Sequence, residues 1–432
     1  MQHALIVGSK GIPANNRGHE TFVEKLTENQ VSPDIKYHAA CAVDSPDEVG
    51  EFEQNGAIAM TVQSGNAPIR VAQIVGKMKG GGVEAVVMNY YRHIDRSRVQ
   101  FDFLVDSDSQ LVPREEIESL GGRVFEVPPY QDVLAYRQEL LRLFKQEDWK
   151  IVHSHINALS VFPLSAAKKA GVPVRIAHSH STAGKGEYAK NAIKSILKTQ
   201  ANRYPTHCFA CSKYAGEWLF GKKADFEVVY NAIDLKRFRF DAEARAKARA
   251  DLGLVGDQFV IGHVGRFTAQ KNHSFLIDVF SEVAKRRQDA VLLLVGTGEA
   301  EASVECSVAE RGLSNRVKFL GQRSDMADMY AAFDAFVLPS LYEGLGLVGV
   351  EAQRSGLPCL LSDQITSEVD VTGECCFLPI NDSALWADAI CEIEPREDDR
   401  RAGVVDKSFA NYDIERQGLW LTQRYMNLCA GD

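Results

Sequence analysis

The sequence predicts an α/β protein made of two doubly wound parallel-sheet domains, and three observations predict it. Short apolar runs of four to seven residues alternate with longer helical patterns for most of the chain, which is how repeated βαβ units read. The runs fall into two series, one on each side of the Lys- and Arg-rich stretch Leu235 to Ala250. At 432 residues the chain is also too long for a single core, since domains usually run about 100 to 200 residues. Strands of both series should direct their carboxyl ends into one cleft between the domains.

The first series runs through Ile69 to Val75, Phe101 to Val105, Arg123 to Val127, Lys150 to His153, Val172 to Ala177 and His207 to Ala210, with amphipathic stretches between. The second begins after Asn231-Ala232-Ile233-Asp234 and comprises Phe259 to Val264, Ala290 to Val295, Val317 to Leu320, Ala335 to Leu338 and Pro358 to Leu361. The first 66 residues stand apart. Ile6-Val7-Gly8, followed by Gly18-His19-Glu20, is matched by Ile74-Val75-Gly76, followed by Gly82-Val83-Glu84, so the chain begins twice. After that first start come strand candidates Lys36 to Cys41 and Ala57 to Val62, an incomplete βαββ segment, and a polar linker, Gln63 to Asn66. So few elements cannot close a core alone. The segment must dock on the main body, pair with another chain or stay loosely ordered.

Composition narrows the function classes. Apolar residues are 45% and charged residues 25%, the proportions of an ordinary soluble globular protein. The net charge of −9 argues against a nucleic-acid partner. Nine scattered cysteines suit reduced thiols in a cytosol better than a disulfide framework, and the one Cys-x-x-Cys, Cys208 with Cys211, lacks the second pair of a zinc ribbon. The Met-Gln-His-Ala-Leu-Ile start has no basic and apolar leader, and no stretch reaches the roughly 18 apolar residues of a membrane span. The expected location is cytoplasmic, with at most peripheral membrane contact.

The sharpest constellation is Pro339 to Glu351. A strand ends at Leu338 and a glycine-rich turn enters a helix, so the free N–H groups of Gly344, Leu345, Gly346 and Leu347 can hold a phosphate. Glu343 and Glu351 flank that position as acceptors for sugar and ribose hydroxyls. A second cluster, Gly262 to Asn272, ends a strand at Gly265 and sets Arg266 and Lys271 at its carboxyl end. Fixed cations there would stabilise the charge on a departing diphosphate. Gly80-Gly81-Gly82-Val83-Glu84 opens another helix with bare N–H groups. It is not a dinucleotide fingerprint: Asp102 and Asp106 fall only loosely where the ribose acid belongs, and no phosphate-binding loop of the nucleotidase type occurs. Gly296-Thr297-Gly298 is a further tight strand-to-helix turn.

His153-Ser154-His155 and His178-Ser179-His180 each end a strand on the cleft side. Without cysteines or paired carboxylates beside them they are read as orienting or polarising a sugar, or as structural, rather than as a metal site. Asp106-Ser107-Asp108 has the D-x-D form that can hold a metal diphosphate but lies in the wrong half, and is read as a turn. Lys190, Lys194 and Lys198 form a basic stripe beside Ile193, Ile196 and Leu197, suited either to anionic lipid or to a solvated face.

From about Pro68 onward, roughly 365 residues, these landmarks resemble a retaining glycosyltransferase of family four, and within it the enzymes of bacterial exopolysaccharide and capsule synthesis. The resemblance rests on the Lys79 to Glu84 loop, Ile151 to His155, Arg175 to His180, Cys211-Ser212-Lys213, Tyr230 to Asp234, Gly265-Arg266 with Lys271, and the Glu343 and Glu351 pair. It implies the GT-B fold, two Rossmann-like domains facing a cleft. Residues 67–234 would form the acceptor-side domain, joined by a C-terminal helix at about 412–432, and residues 235–411 the nucleotide-sugar domain. It implies that Arg266 and Lys271 hold the donor diphosphate, that Glu343 contacts the transferred sugar and Glu351 the ribose, and that Gly81 or Gly82 faces the phosphate from the opposite domain. The base would lie near Val317 to Leu320, and His178 or His180 near the sugar. Transfer would need no metal or other cofactor, and the partners would be a nucleotide sugar, UDP-linked by expectation, and a lipid-linked or glycan acceptor. Residues 1–66 resemble a truncated start of rhamnosyltransferase-like enzymes through Gly8 to Ala14 and Glu20 to Leu26, with Arg17-Gly18-His19-Glu20 departing from that branch's glycine pair. The competing readings are an inactive nucleotide-sugar-binding protein and a sugar epimerase of the same fold.

Overall fold

The computed structural model describes residues 2–8, 35–43, 50–54, 57–63, 67–180, 195–256, 258–394, 400 and 406–431. The chain divides into two compact units, Met1–Pro68 and Ile69–Asp432.

The first unit is a four-stranded sheet of order β1-β2-β4-β3, formed by β1 (Gln2–Gly8), β2 (Ile35–Val43), β3 (Gly50–Gln54) and β4 (Ala57–Gln63). β1, β2 and β4 are parallel, and β3 runs antiparallel to β4. β3, with its polar sequence Gly-Glu-Phe-Glu-Gln, is not foreseen from apolar runs. The helix expected after Gly18 lies outside the described residues.

The second unit contains two all-parallel sheets. The seven strands β5 (Ile69–Gly76), β6 (Val99–Asp106), β7 (Arg123–Val127), β8 (Ile151–Ser154), β9 (Val174–Ser179), β10 (His207–Ala210) and β11 (Glu227–Val228) are ordered β11-β10-β9-β8-β5-β6-β7. The six strands β12 (Phe259–Val264), β13 (Ala290–Val295), β14 (Val317–Phe319), β15 (Ala335–Leu338), β16 (Cys359–Ser362) and β17 (Cys376–Leu378) are ordered β14-β13-β12-β15-β16-β17. This is the GT-B architecture. Every residue of β6, β8, β13, β15 and β16 is buried, because helices cover both faces of a parallel sheet and only a continuous apolar run can occupy its middle.

Two buried charges, Asp102 and Arg245, are paired within this scaffold. Asp102, in the middle of β6, accepts hydrogen bonds from Arg70, Arg123 and the Trp149 indole at 2.5–3.0 Å, so it ties the seven-stranded sheet together and is closed to a ribose. The Leu235 to Ala250 stretch is no solvated connector. Its helix Ala242–Asp251 buries Arg245, which pairs with Asp334 at 2.6 Å and donates to the carbonyls of Ala331 and Phe333.

The chain passes between the sheets twice, side by side. Ile233 N–H donates to the Tyr412 carbonyl at 2.8 Å, and Ile414 N–H donates to the Ile233 carbonyl at 3.1 Å. The helix Ile414–Ala430 then packs on the first sheet, with Leu421, Tyr425 and Leu428 in the same core as Val71, Phe101 and Ile176. Gly418 permits the approach: a Cβ there would stand 2.6 Å from the His93 carbonyl oxygen.

Candidate active site

The second-domain wall is made by the loops after β12, β13 and β15. Gly265, Gly296 and Gly298 bring the first two loops into backbone contact. A Cβ on Gly296 would be 2.1 Å from the Gly265 oxygen, and one on Gly298 would be 2.5 Å from that of Phe267. Gly265 also lies under the Lys271 side chain, which a Cβ would touch at 2.9 Å. Thus the Gly-Thr-Gly turn is a packing device that fixes the loop carrying Arg266 and Lys271.

Lys271 and Glu343 meet directly. The ammonium is 2.7 Å from the carboxylate, and Gln270 Nε2 donates to the other carboxylate oxygen at 3.1 Å. Glu343 is buried, and the pair is registered by Leu341 N–H donating to the Gln270 carbonyl at 2.8 Å. Arg266 is exposed beside it, with no side-chain hydrogen bond or ion pair among the described residues. After Glu343 the chain turns through Gly344 and Leu345 to Gly346, whose φ of +82° is left-handed and favours glycine, and enters the helix Leu347–Arg354. Glu351, one helical turn inside, accepts the Tyr330 hydroxyl at 2.7 Å. Burial lifts its carboxyl to about 7, against the downward pull of Tyr330 and Arg237.

The predicted residues are not all cleft residues. Leu345 and Val317 are core side chains, exposed 2% and 5%, so no side-chain contact to a ligand can come from either. Leu320 and Leu347 are partly buried and pack against core side chains. Gly344 is spoken for on one side: its carbonyl accepts the Ser212 hydroxyl of the first domain at 2.8 Å. Nearby, the Glu368 carboxylate accepts the Lys213 and Tyr214 N–H groups at 2.8 and 2.9 Å, so an acid of one domain caps a helix of the other.

On the first-domain wall, the glycine loop is not bare. The Glu84 carboxylate turns back and accepts N–H bonds from Lys79, Gly80 and Gly81 at 2.9, 2.6 and 2.9 Å. The loop is therefore an anion nest that already holds an anion of its own chain. Burial raises the Glu84 carboxyl, partly offset by these three bonds and by the field of Arg266 from the facing domain. Gly82 has open space where a Cβ would point, whereas Gly80, at φ +75°, lies against Gln322 of the second domain. Sequence reading missed Glu84 because an acid in a helix's first turn is commonplace.

The histidines form one buried stack at the ends of β8 and β9. His153 and His178 lie 5.1 Å apart and 8° from parallel; His178 and His180 lie 3.9 Å apart. Burial keeps all four neutral, with His180 driven down to about 3. One nitrogen from each of His153, His155 and His178 falls within 4.8 Å of the others, a spacing a cation could use. The nitrogens of His153 and His155 are already taken up by hydrogen bonds to Tyr425, His178, Gln73 and His180, and among the described residues no carboxylate joins the group. Cys208 and Cys211 are free thiols whose burial pushes them up to about 11 and about 12, far from a reactive thiolate. Asp106 ends β6 buried and, among the described residues, unpaired, and Asp108 pairs with Lys77. Of the basic stripe, Lys190, Lys194 and Ile193 lie outside the described residues, and Lys198 rests over the Trp218 ring at 5.0 Å.

Two parallel-sheet domains with cations, a buried carboxylate and a glycine turn at the strand ends define a GT-B glycosyl-transfer enzyme. The chain belongs to the group 1, family 4 glycosyltransferases. Residues 80–237 match the family described as Glycosyltransferase Family 4, residues 244–401 match Glycosyl transferases group 1, and residues 1–128 match a domain of unknown function, DUF1972. EpsF of Bacillus subtilis, named as a glycosyltransferase, is 37% identical over 74% of this chain and 86% of its own. The UDP-Gal:α-D-GlcNAc-diphosphoundecaprenol α-1,3-galactosyltransferase of Escherichia coli is 28% identical over 63% of this chain and 72% of its own. The crystal structure of Anabaena HepE with UDP and glucose superposes with a TM-score of 0.70 at 19% identity, over 83% of this chain and 99% of its own. Among the described residues no helix is long and apolar enough to cross a membrane.

Proposed function

We propose that this glycosyltransferase moves a sugar, with retention of configuration and without a metal, from a UDP-sugar to a lipid-linked or glycan acceptor in bacterial exopolysaccharide or capsule synthesis, on the cytoplasmic face of the membrane. The observation that carries the reading is the Lys271 and Glu343 pair, 2.7 Å apart, with exposed Arg266 on the same loop. In the free enzyme Glu343 neutralises the lysine. A diphosphate entering beside the Gly344 to Leu347 turn would draw the ammonium to itself and release the carboxylate to the sugar hydroxyls. Arg266 and Lys271 then stabilise the charge that grows on the leaving diphosphate, and Glu351 accepts from the ribose. The acceptor would attack from the face the diphosphate leaves, with a diphosphate oxygen taking its proton. The E. coli relative's name, which pairs a UDP-sugar with a diphosphoundecaprenol acceptor, supports the choice of nucleotide and acceptor class.

Calorimetric titration with UDP, GDP, ADP and CMP, without added metal, tests the reading against an Arg266→Ala/Lys271→Ala control. Selective UDP binding that the control loses is expected. Binding of no nucleotide, or binding that survives in the control, would overturn it.

A further inference from the structure

Four imidazoles, one glutamine and one tyrosine form an unbroken hydrogen-bonded chain inside the first domain. His155 joins Gln73 Oε1 through Nε2 at 2.8 Å and His180 Nε2 through Nδ1 at 2.9 Å. On the other arm Gln73 Nε2 reaches the Tyr425 hydroxyl at 3.2 Å, which meets His153 Nδ1 at 2.6 Å, and His153 Nε2 meets His178 Nδ1 at 3.1 Å. The chain's two ends, His178 Nε2 and His180 Nδ1, are buried and have no partner among the described residues. We infer that Gln73 and Tyr425 are positioning residues that hold all four histidines in one tautomer, and so fix which end of the chain donates and which accepts.

The direction of every bond follows from the Gln73 amide. A neutral imidazole has one N–H and one lone pair, so each ring passes the direction on. The Gln73 carbonyl accepts from His155 Nε2–H, which leaves His155 Nδ1 to accept from His180 Nε2–H and leaves His180 Nδ1 bare. The Gln73 N–H donates to the Tyr425 oxygen, whose O–H donates to His153 Nδ1. His153 Nε2–H then donates to His178 Nδ1, and His178 Nε2–H is left free. All four rings are therefore protonated at Nε2. Turning the amide over reverses every bond at once, moves all four protons to Nδ1 and exchanges the ends. In both directions the ends are one donor and one acceptor, on rings stacked 3.9 Å apart. A hydroxyl, which accepts one bond and donates another, is the complementary group. That last step rests on reading the cleft as a sugar-transfer site; the tautomers do not.

Long-range ¹H–¹⁵N correlation spectra of the full-length protein labelled with ¹⁵N-histidine read each tautomer directly, without substrate. One common tautomer for His153, His155, His178 and His180 is expected, Nε2–H for the amide orientation seen here and Nδ1–H throughout if the amide is reversed. A mixed set would overturn the inference. Tyr425→Phe cuts one arm, so His153 and His178 should relax to a mixture while His155 and His180 keep theirs; an unchanged His178 would overturn it as well. Should Tyr425→Phe not fold, Gln73→Leu must release all four. These shifts are independent of turnover, so a failed transfer assay would count against the proposed function and leave the tautomers standing.

Discussion

Glu351 stands near its titration midpoint at neutral pH, since burial holds its carboxyl at about 7. The ionised form is the stronger acceptor for ribose hydroxyls, so binding should lower this value and grow stronger as pH rises. Between pH 6 and 8 the affinity for UDP of the wild type, relative to Glu351→Gln, should increase several-fold, because the variant cannot ionise while the nucleotide's own titration is common to both. Calorimetry at the two pH values measures the ratio, and a constant ratio would remove Glu351 from the site. Lys271 has a larger stake. Its replacement by alanine should cost roughly 2 to 4 kcal/mol of transition-state stabilisation, the usual size for one preorganised electrostatic group. A kcat/KM within a few-fold of wild type would refute its role. Glu343, Glu351, Arg266 and Lys271 were legible because glycines and strand ends marked them in sequence. Gln73 and Tyr425 were not, because they meet across 352 positions and only the returning C-terminal helix brings them together.

At the scale of elements, the buried central strands announce themselves as apolar runs, and β12, β13 and β15 begin and end where those runs do. The edge strands β11 and β17, of two and three residues, have no such run, since an edge needs no continuous burial. A buried carboxylate stands at the end of β6. Both Asp106 carboxylate oxygens are buried without a partner among the described residues, and burial together with Asp108 raises the group to about 6, partly offset by Lys77. The folded value lies above the ordinary 3.8, so the fold disfavours the ion, and wild-type stability falls as pH rises through the window from about 4 to about 6. Asp106→Asn escapes that penalty. Its Tm advantage should be small near pH 4 and reach a plateau above pH 6; scanning calorimetry showing the same difference at both pH values would mean that the carboxyl is not held neutral by the fold. By contrast, Gly298→Ala must push a methyl into the Phe267 backbone and should lower Tm at every pH.

The chain joins a four-stranded sheet to a unit with two parallel-sheet domains. Every residue assigned to the cleft, and both crossings of the chain at Ile233 and Asp413, belong to the unit that starts at Ile69. Among the described residues, the strands of its two sheets all come from Ile69 onward. The double start, two Ile-Val-Gly strands some 68 positions apart in one chain, gave that separation away before any fold was known, whereas what the first copy now does was not legible, since its own loop departs from the pattern it resembles. The second unit has its own cores, built from Val71 onward, and the helix Ile414–Ala430 closes the first of its sheets from the far end of the chain. Removal of residues 1–66 should therefore leave UDP affinity and the unfolding transition of the remainder within experimental scatter. If the shortened chain came out aggregated or unable to bind, the first sheet would be a structural part of the enzyme, and the leading segment would have to be counted into the catalytic body instead of beside it.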